Sequence, residues 1–215
     1  MTRIRCWAIC WNVLASEARM NLDEIKDITG AWDHAGLPRN IRVGQGCFLE
    51  RKDSFKRFRS QREPGLILGQ RVRVYTWTEF NIEPDGLVEV GDDSTLVGVV
   101  FMCAERITIG RRVIVSYNVT IADSDFHPRD PEARRLDAIA NAPEGDRRLR
   151  PAVITQPVVV EDDVQIGIGA IVLKGVQVGR GARIGPGAVV TRNVPAGGVV
   201  MGNAARPAKP EDWSA

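Results

Sequence analysis

The chain has 215 residues and a formal net charge of +2, from 29 Lys and Arg against 27 Asp and Glu, and 44% of it is hydrophobic. That is ample for one ordinary core, and the charge is too balanced for nucleic acid to be the main partner. Only two histidines, His34 and His127, and four cysteines without a CxxC pair leave no zinc site to assemble and point to free thiols in a reducing cytoplasm.

Residues 1–40 read as an N-terminal cap, with turn signals at Gly36 and Pro38. The apolar stretch from Cys6 to Ala15 contains Asn12 and is far shorter than the roughly 20 residues that span a bilayer, so an amphipathic helix or cap is expected rather than a cleaved signal or a membrane insertion. A repeat begins at Ile41-Arg42-Val43-Gly44-Gln45-Gly46. Residues 50–63, ERKDSFKRFRSQRE, then break it with six basic residues around Phe55 and Phe58. Two readings stand: a solvated insertion whose rings pack on the repeat, and a basic wall for an anionic substrate or phosphorylated cofactor.

Aliphatic residues next recur every six positions in phase-shifted sets: Leu68, Val74 and Phe80 with Val72; Val90, Leu96 and Met102; Ile109, Val115 and Ile121 with Val113 and Val119. Such shifts predict inserted residues at corners. A polar excursion over 122–157 carries DSDFHPRDPEARR and ends at Pro157. The ladder then runs strictly through Val160, Ile166, Val172, Val178, Ile184 and Val190, with Val164, Ala170, Val176, Ala182, Ala188 and Val194 four residues behind the first. Gly167, Gly179 and Gly185 follow the large aliphatics, and Gly169, Gly175, Gly181 and Gly187 hold a second phase. From about 200 the pattern breaks, and 204–215 read as a C-terminal tail.

Neither a helical period of 3.6 nor a strand period of 2 gives this pattern. A period of six is that of a solenoid of very short strands with a corner after each one. The large aliphatic fills the core, the small residue fits the bend, and each strand pairs with its equivalent one coil away. The expectation is an all-β chain, mostly strand with little helix outside the cap, with coils over 41–203 and a structureless excursion loop at 122–157.

The segments ITIGRRVIVSYNVTIADSDFHP (107–128), VVVEDDVQIGIGAIVLKGVQVGRGARIGPGAVVTRNVP (158–195) and GNAARP (202–207) resemble the hexapeptide-repeat acyltransferases, nearest to the maltose and galactoside O-acetyltransferase-like branch. The resemblance implies a left-handed parallel β-helix, a cytoplasmic homotrimer with sites in clefts between subunits, and acetyl-CoA as co-substrate with no metal. It also implies that His127 is the base, that the thioester carbonyl is held by the amide of Ile168, and that Thr191, Arg192 and Arg206 lie near the coenzyme. Gln165, Pro186 and Ala204 depart from the family pattern, and the acceptor-side asparagine of the galactoside enzymes has no match.

Acyl transfer from a thioester needs a deprotonated acceptor, a stabilised oxyanion and aligned reactants. His127 can supply the first, with Asp123 or Asp125 holding its other ring nitrogen. The alternative is a surface histidine before a proline. His34 reads as a cap residue and Cys103 as a packed thiol rather than a nucleophile. Asn118 is balanced between a cleft residue and a turn residue, and Arg147-Arg148-Arg150 between a solvated loop and a phosphate clamp. A carbonic anhydrase of this fold needs three histidines, and a nucleotidyltransferase needs a nucleotide-binding domain that 40 residues cannot form. The remaining functions are acetyl transfer to a hydroxyl of a sugar or related small molecule, N-acylation of an amino sugar or other amine, and a non-catalytic β-helix scaffold.

Overall fold

The computed structural model describes residue 34 and residues 36–207. The expected cap therefore lies outside the described residues except for His34 and residues 36–40, as does the tail beyond Pro207. Strands of two to four residues follow one another in coils. Coil 1 holds β1 (Ile41–Val43) and β2 (Phe48–Leu49); coil 2 holds β3 (Leu66–Leu68), β4 (Arg73–Val74) and β5 (Glu79–Ile82). Coil 3 holds β6 (Leu87–Val90), β7 (Thr95–Leu96) and β8 (Val100–Cys103); coil 4 holds β9 (Arg106–Ile109), β10 (Ile114–Val115) and β11 (Thr120–Ala122). After the excursion come coil 5, with β12 (Val158–Val160), β13 (Gln165–Ile166) and β14 (Ile171–Val172), and coil 6, with β15 (Gln177–Val178), β16 (Arg183–Ile184) and β17 (Val189–Val190). β18 (Val199–Met201) and β19 (Arg206–Pro207) close the stack, so the ordered pairing runs a few residues beyond the expected boundary at 203.

The three strands of a full coil enter three different sheets. The orders are β1-β3-β6-β9-β12-β15, β2-β4-β7-β10-β13-β16-β18-β19 and β5-β8-β11-β14-β17, parallel throughout except for β18 against β19. Ladder residues stack directly: Val115 over Ile166 over Ile184, and Ile121 over Val172 over Val190. All six aliphatics of the 160–190 ladder are at most 1% exposed, and the small residues behind them at most 4%. β-branched side chains suit this geometry because they pack well on a short pleated strand and lose little rotamer freedom there. At Gly167 a Cβ would come within 2.7 Å of the Pro186 nitrogen in the next coil, so glycine lets the corners stack.

One expected core residue is misplaced. Met102 is half-buried and faces outward, while Phe101 and Cys103 fill the core. The corner between β7 and β8 has three residues, 97–99, where the equivalent corner between β10 and β11 has four, 116–119, so the period there is five. Within this set a shortened corner shifts the phase, whereas between sets inserted residues do so, as expected: Phe80 and Val90 are ten residues apart.

The 50–63 segment replaces the third strand of coil 1, with a 3-10 turn at Lys52–Phe55 and Phe58 bridging to Ile82. Phe55 is 8% exposed and stacks on Phe80 at 5.5 Å, which stacks on Phe101 at 5.1 Å. The Phe55 ring therefore packs on the coils. Phe101→Ala should cost about 3–5 kcal/mol, read as a fall in the urea midpoint. A loss under about 1 kcal/mol would show that this ring column is no part of the core.

The excursion between β11 and β12 is not structureless. Helix α1 (Pro131–Asn141) starts at the N-cap Asp130, whose carboxylate accepts from the Ala133 amide at 2.8 Å, with proline just inside the first turn. The stem is closed by a Ser124–Thr155 bridge, by Asp125 N donating to Ile154 O at 3.1 Å, and by Gln156 N donating to Asp123 O at 2.8 Å. Among the described residues no helix is long and apolar enough to cross a membrane.

Candidate active site

His127 lies just beyond the stem of the excursion, and its side chain is 63% exposed. Phe126, before it, has φ +63, a left-handed conformation that a bulky residue holds only where its surroundings enforce it. The His127 amide donates to Asp125 O at 2.7 Å, and the ring Nδ1 lies 2.7 Å from Oδ2 of Asp137 on helix α1. Asp137 is fully buried. Its other oxygen, Oδ1, accepts from Arg150 Nε at 2.8 Å and from Asn141 Nδ2 at 3.1 Å. Burial pushes this carboxyl up, but the bonds from Arg150 and His127 outweigh it and hold it below its ordinary value. An ionised carboxylate can only accept, so Nδ1 of the neutral ring carries the hydrogen and Nε2 presents a lone pair outward.

The carboxylates expected to orient the ring are committed elsewhere. Asp125 is held by Lys174, in the turn after β14, and by Arg129 at 3.1 Å; the Lys174 bond is the main cause of its lowered carboxyl. It anchors the stem to coil 5 rather than touching the ring. Asp123, also buried, accepts from the amides of Ala104, Glu105 and Arg106 at 2.7–2.8 Å and fixes the corner after β8. The orienting residue, Asp137, lies ten positions downstream of His127.

The arginine run divides. Arg148 pairs with Asp146 at the surface. Arg147 and Arg150 turn inward to Glu83, at 2.8 and 3.3 Å, and Arg59 of the 50–63 segment approaches the same carboxylate at 3.7 Å. The two interruptions of the repeat thus meet at one acidic residue after β5. Arg147 and Arg150 are therefore ion-paired and partly buried rather than solvated.

Of the coenzyme-side residues, Ile168 stands at the corner after β13 with half its surface exposed, and no acceptor among the described residues takes its amide hydrogen. Thr191 and Arg192 are exposed after β17, and Arg206 is exposed opposite Met201. No hydrogen bond or ion pair among the described residues joins any of these four to His127 or Asp137. Asn118 has φ +57 and donates its amide to Gly98 O at 2.9 Å, a corner role. Cys103 is buried, and burial pushes its thiol far up, as for a packed thiol. Among the described residues, no three His, Cys, Asp or Glu side chains are grouped to hold a metal ion. A cleft of about 350 Å³ between the 50–57 turn and coil 2, lined by Arg51, Lys56, Arg57, Trp77 and Asn81, shares no residue with the His127 cluster.

Residues 157–192 match the family described as bacterial transferase hexapeptide (six repeats). A 53-residue stretch is 55% identical to the 2,3,4,5-tetrahydropyridine-2,6-dicarboxylate N-acetyltransferase of Staphylococcus aureus, covering 25% of this chain and 22% of that protein. The chain therefore spans about a fifth of the length of the curated relatives it matches. A hexapeptide-repeat-containing acetyltransferase of Vibrio cholerae O1 biovar eltor, solved with acetyl coenzyme A, is 27% identical over 67% of this chain and 70% of that one, with a TM-score of 0.51. A variant of AntD, an N-acyltransferase from Bacillus cereus solved with dTDP and coenzyme A, has a TM-score of 0.55 at 17% identity, covering 78% of this chain and 83% of that one. This last likeness concerns the fold alone.

Proposed function

We propose that the chain is an acetyl-CoA-dependent acetyltransferase in which His127, oriented by Asp137, is the general base, and the acceptor is a hydroxyl of a sugar or related small molecule. One observation carries this reading. An exposed imidazole is held through Nδ1 by a fully buried, ion-paired carboxylate, on a loop thrown out from a hexapeptide-repeat stack. A surface histidine with no task has no need of a buried charge, which is costly unless it is paired.

Acetyl-CoA would supply the acyl group as a thioester. His127 Nε2 would take the acceptor proton as the oxygen attacks the thioester carbonyl, and Asp137 would stabilise the imidazolium that results; the C–S bond would then break, and the imidazolium would return its proton to the leaving coenzyme A thiolate. The unpaired Ile168 amide would donate to the developing oxyanion. Thr191, Arg192 and Arg206 would contact the coenzyme. The same reading includes a left-handed parallel β-helix and a cytoplasmic homotrimer. The trimer is supported by the lack, among the described residues, of any hydrogen bond or ion pair between the coenzyme-side residues and His127, so a neighbouring copy would complete the cleft.

N-acylation of an amine is the second reading, favoured by the N-acetyltransferase activity named for the S. aureus relative. A screen of sugars, amino sugars and other amines with acetyl-CoA, followed by release of free thiol, tests both. Release with hydroxyl acceptors supports the first reading, and release with amines alone supports the second. No release with any acceptor, together with no coenzyme binding, would favour a scaffold. Arg206→Ala should raise KM for acetyl-CoA several-fold with kcat nearly unchanged, since phosphate contacts are made equally in ground and transition states. An unchanged KM would remove Arg206 from the site.

A further inference from the structure

We infer that Arg150 and Glu83 are positioning residues for His127, acting through Asp137 to fix both the orientation of the imidazole and the pH at which it titrates. The inference deepens the reading above and rests on His127 being the base.

Arg150 is 19% exposed and makes three contacts that converge on the ring. Its Nε donates to Asp137 Oδ1 at 2.8 Å, and its Nη2 donates to the carbonyl of Phe126 at 3.3 Å. Phe126 is the left-handed residue directly before His127. One guanidinium thus holds the carboxylate that grips Nδ1 and the strained peptide that aims the side chain. Its third contact, Nη1 to Glu83 Oε1 at 3.3 Å, ties the assembly to the coils. A planar fork with several donors suits this task, and a single ammonium does not.

The charges linked to the ring through Asp137 come from four segments of the chain. Asp137 comes from α1, and Arg150 and Arg147 from the end of the excursion. Glu83 follows β5, and Arg59 comes from the 50–63 segment. Asp125, Lys174 and Arg129 pair among themselves at the stem. Burial and the neighbouring Arg147 lower the Arg59 guanidinium, as expected in a cluster crowded with cations. Removing Arg150 takes away a positive charge one carboxylate from the ring, so the imidazolium is better held. Removing the charge of Glu83 takes the carboxylate from Arg59 and Arg147 and leaves Arg150 with Asp137 alone, so the imidazolium is held less well. The two changes must therefore act in opposite directions. Loss of rigidity alone would not produce opposite signs.

The test is an NMR titration of the imidazole signals in tag-free protein. The chain has only two histidines, and His127→Asn assigns the one of interest. In Arg150→Met the His127 midpoint should move to higher pH by about half a unit or more; in Glu83→Gln it should move to lower pH by a smaller amount, because Glu83 lies one residue further out. Arg148→Met, whose side chain pairs with Asp146 at the surface, should move nothing. If Arg150→Met does not fold, Arg150→Gln and the downward shift in Glu83→Gln carry the same test. Shifts in the same direction, or none in either variant, would overturn the inference. Opposite shifts in a protein inactive with every acceptor would sink the catalytic reading and leave the positioning one standing, so the two fail separately.

Discussion

His127→Ala is expected to lose at least about a hundredfold in kcat while keeping its thermal midpoint and its affinity for coenzyme A, because a general base contributes about 10²–10⁴-fold to such a step. The ring is more than half exposed and fills no core space, so its removal creates no cavity. Among the described residues no hydrogen bond or ion pair joins the coenzyme-side residues to it, so donor binding should not move. His127→Asn keeps a hydrogen-bonding group without basicity and should be nearly as inactive. Turnover is measured with a genuine acceptor under conditions where chemistry limits the rate. A variant that retains most of its turnover would remove His127 from the mechanism and leave the fold argument untouched.

Val172→Asp should abolish folding. Val172 is fully buried on β14, paired between Ile121 and Val190, in a core whose neighbours are aliphatic and offer no counter-charge. An unpaired carboxylate there must be desolvated or protonated, at a cost beyond about 4 kcal/mol, comparable with the whole margin of a marginal domain. The far-UV spectrum should lose its strand signature and the protein should aggregate. A soluble variant with a wild-type spectrum and midpoint would mean that Val172 does not face the core.

The fold was legible in the 160–190 ladder because each coil side there has the same length, so one fixed period points every sixth side chain inward. Where a corner is shortened, as at 97–99, the period fails, and Met102 was expected in the place that Phe101 occupies. A second regularity was hidden for the same reason. At the corner between the first and second sheets, basic and acidic pairs alternate from coil to coil: Arg71 bonds Asp93 at 2.6 Å, Arg112 bonds Asp163 at 2.6 Å, and Arg111 bonds Asp162 at 3.0 Å. The partners lie 22 residues apart in one coil and 51 in another because the excursion intervenes, so no constant spacing reveals them.

His127 was legible as a candidate from its context in the excursion, and its orienting partner was not. The helix that carries Asp137 does announce itself, through Asp130 as N-cap and Pro131 in the first turn, and that signal was available. Its face was not. Leu136 and Ile139 are 44% and 54% exposed while Asp137 is fully buried, the reverse of what apolar patterning predicts. Patterning of that kind presumes that the buried face is apolar. Here it is buried against Arg150 and His127, and charge pairing overrides it. The nearer carboxylates, Asp123 and Asp125, take partners from neighbouring coils, the amides of Ala104, Glu105 and Arg106 and the Lys174 ammonium, that no spacing along the chain discloses.

The central claim is that a hexapeptide-repeat stack binds acetyl-CoA and that His127 then does the chemistry. Calorimetric titration of acetyl-CoA into the wild-type protein and His127→Ala, paired with thiol release from the same samples once an acceptor is supplied, tests it most directly. The account predicts the same saturable binding in both proteins and thiol release in the wild type alone. No heat of binding in a folded wild-type protein, or equal thiol release from the two, would contradict it.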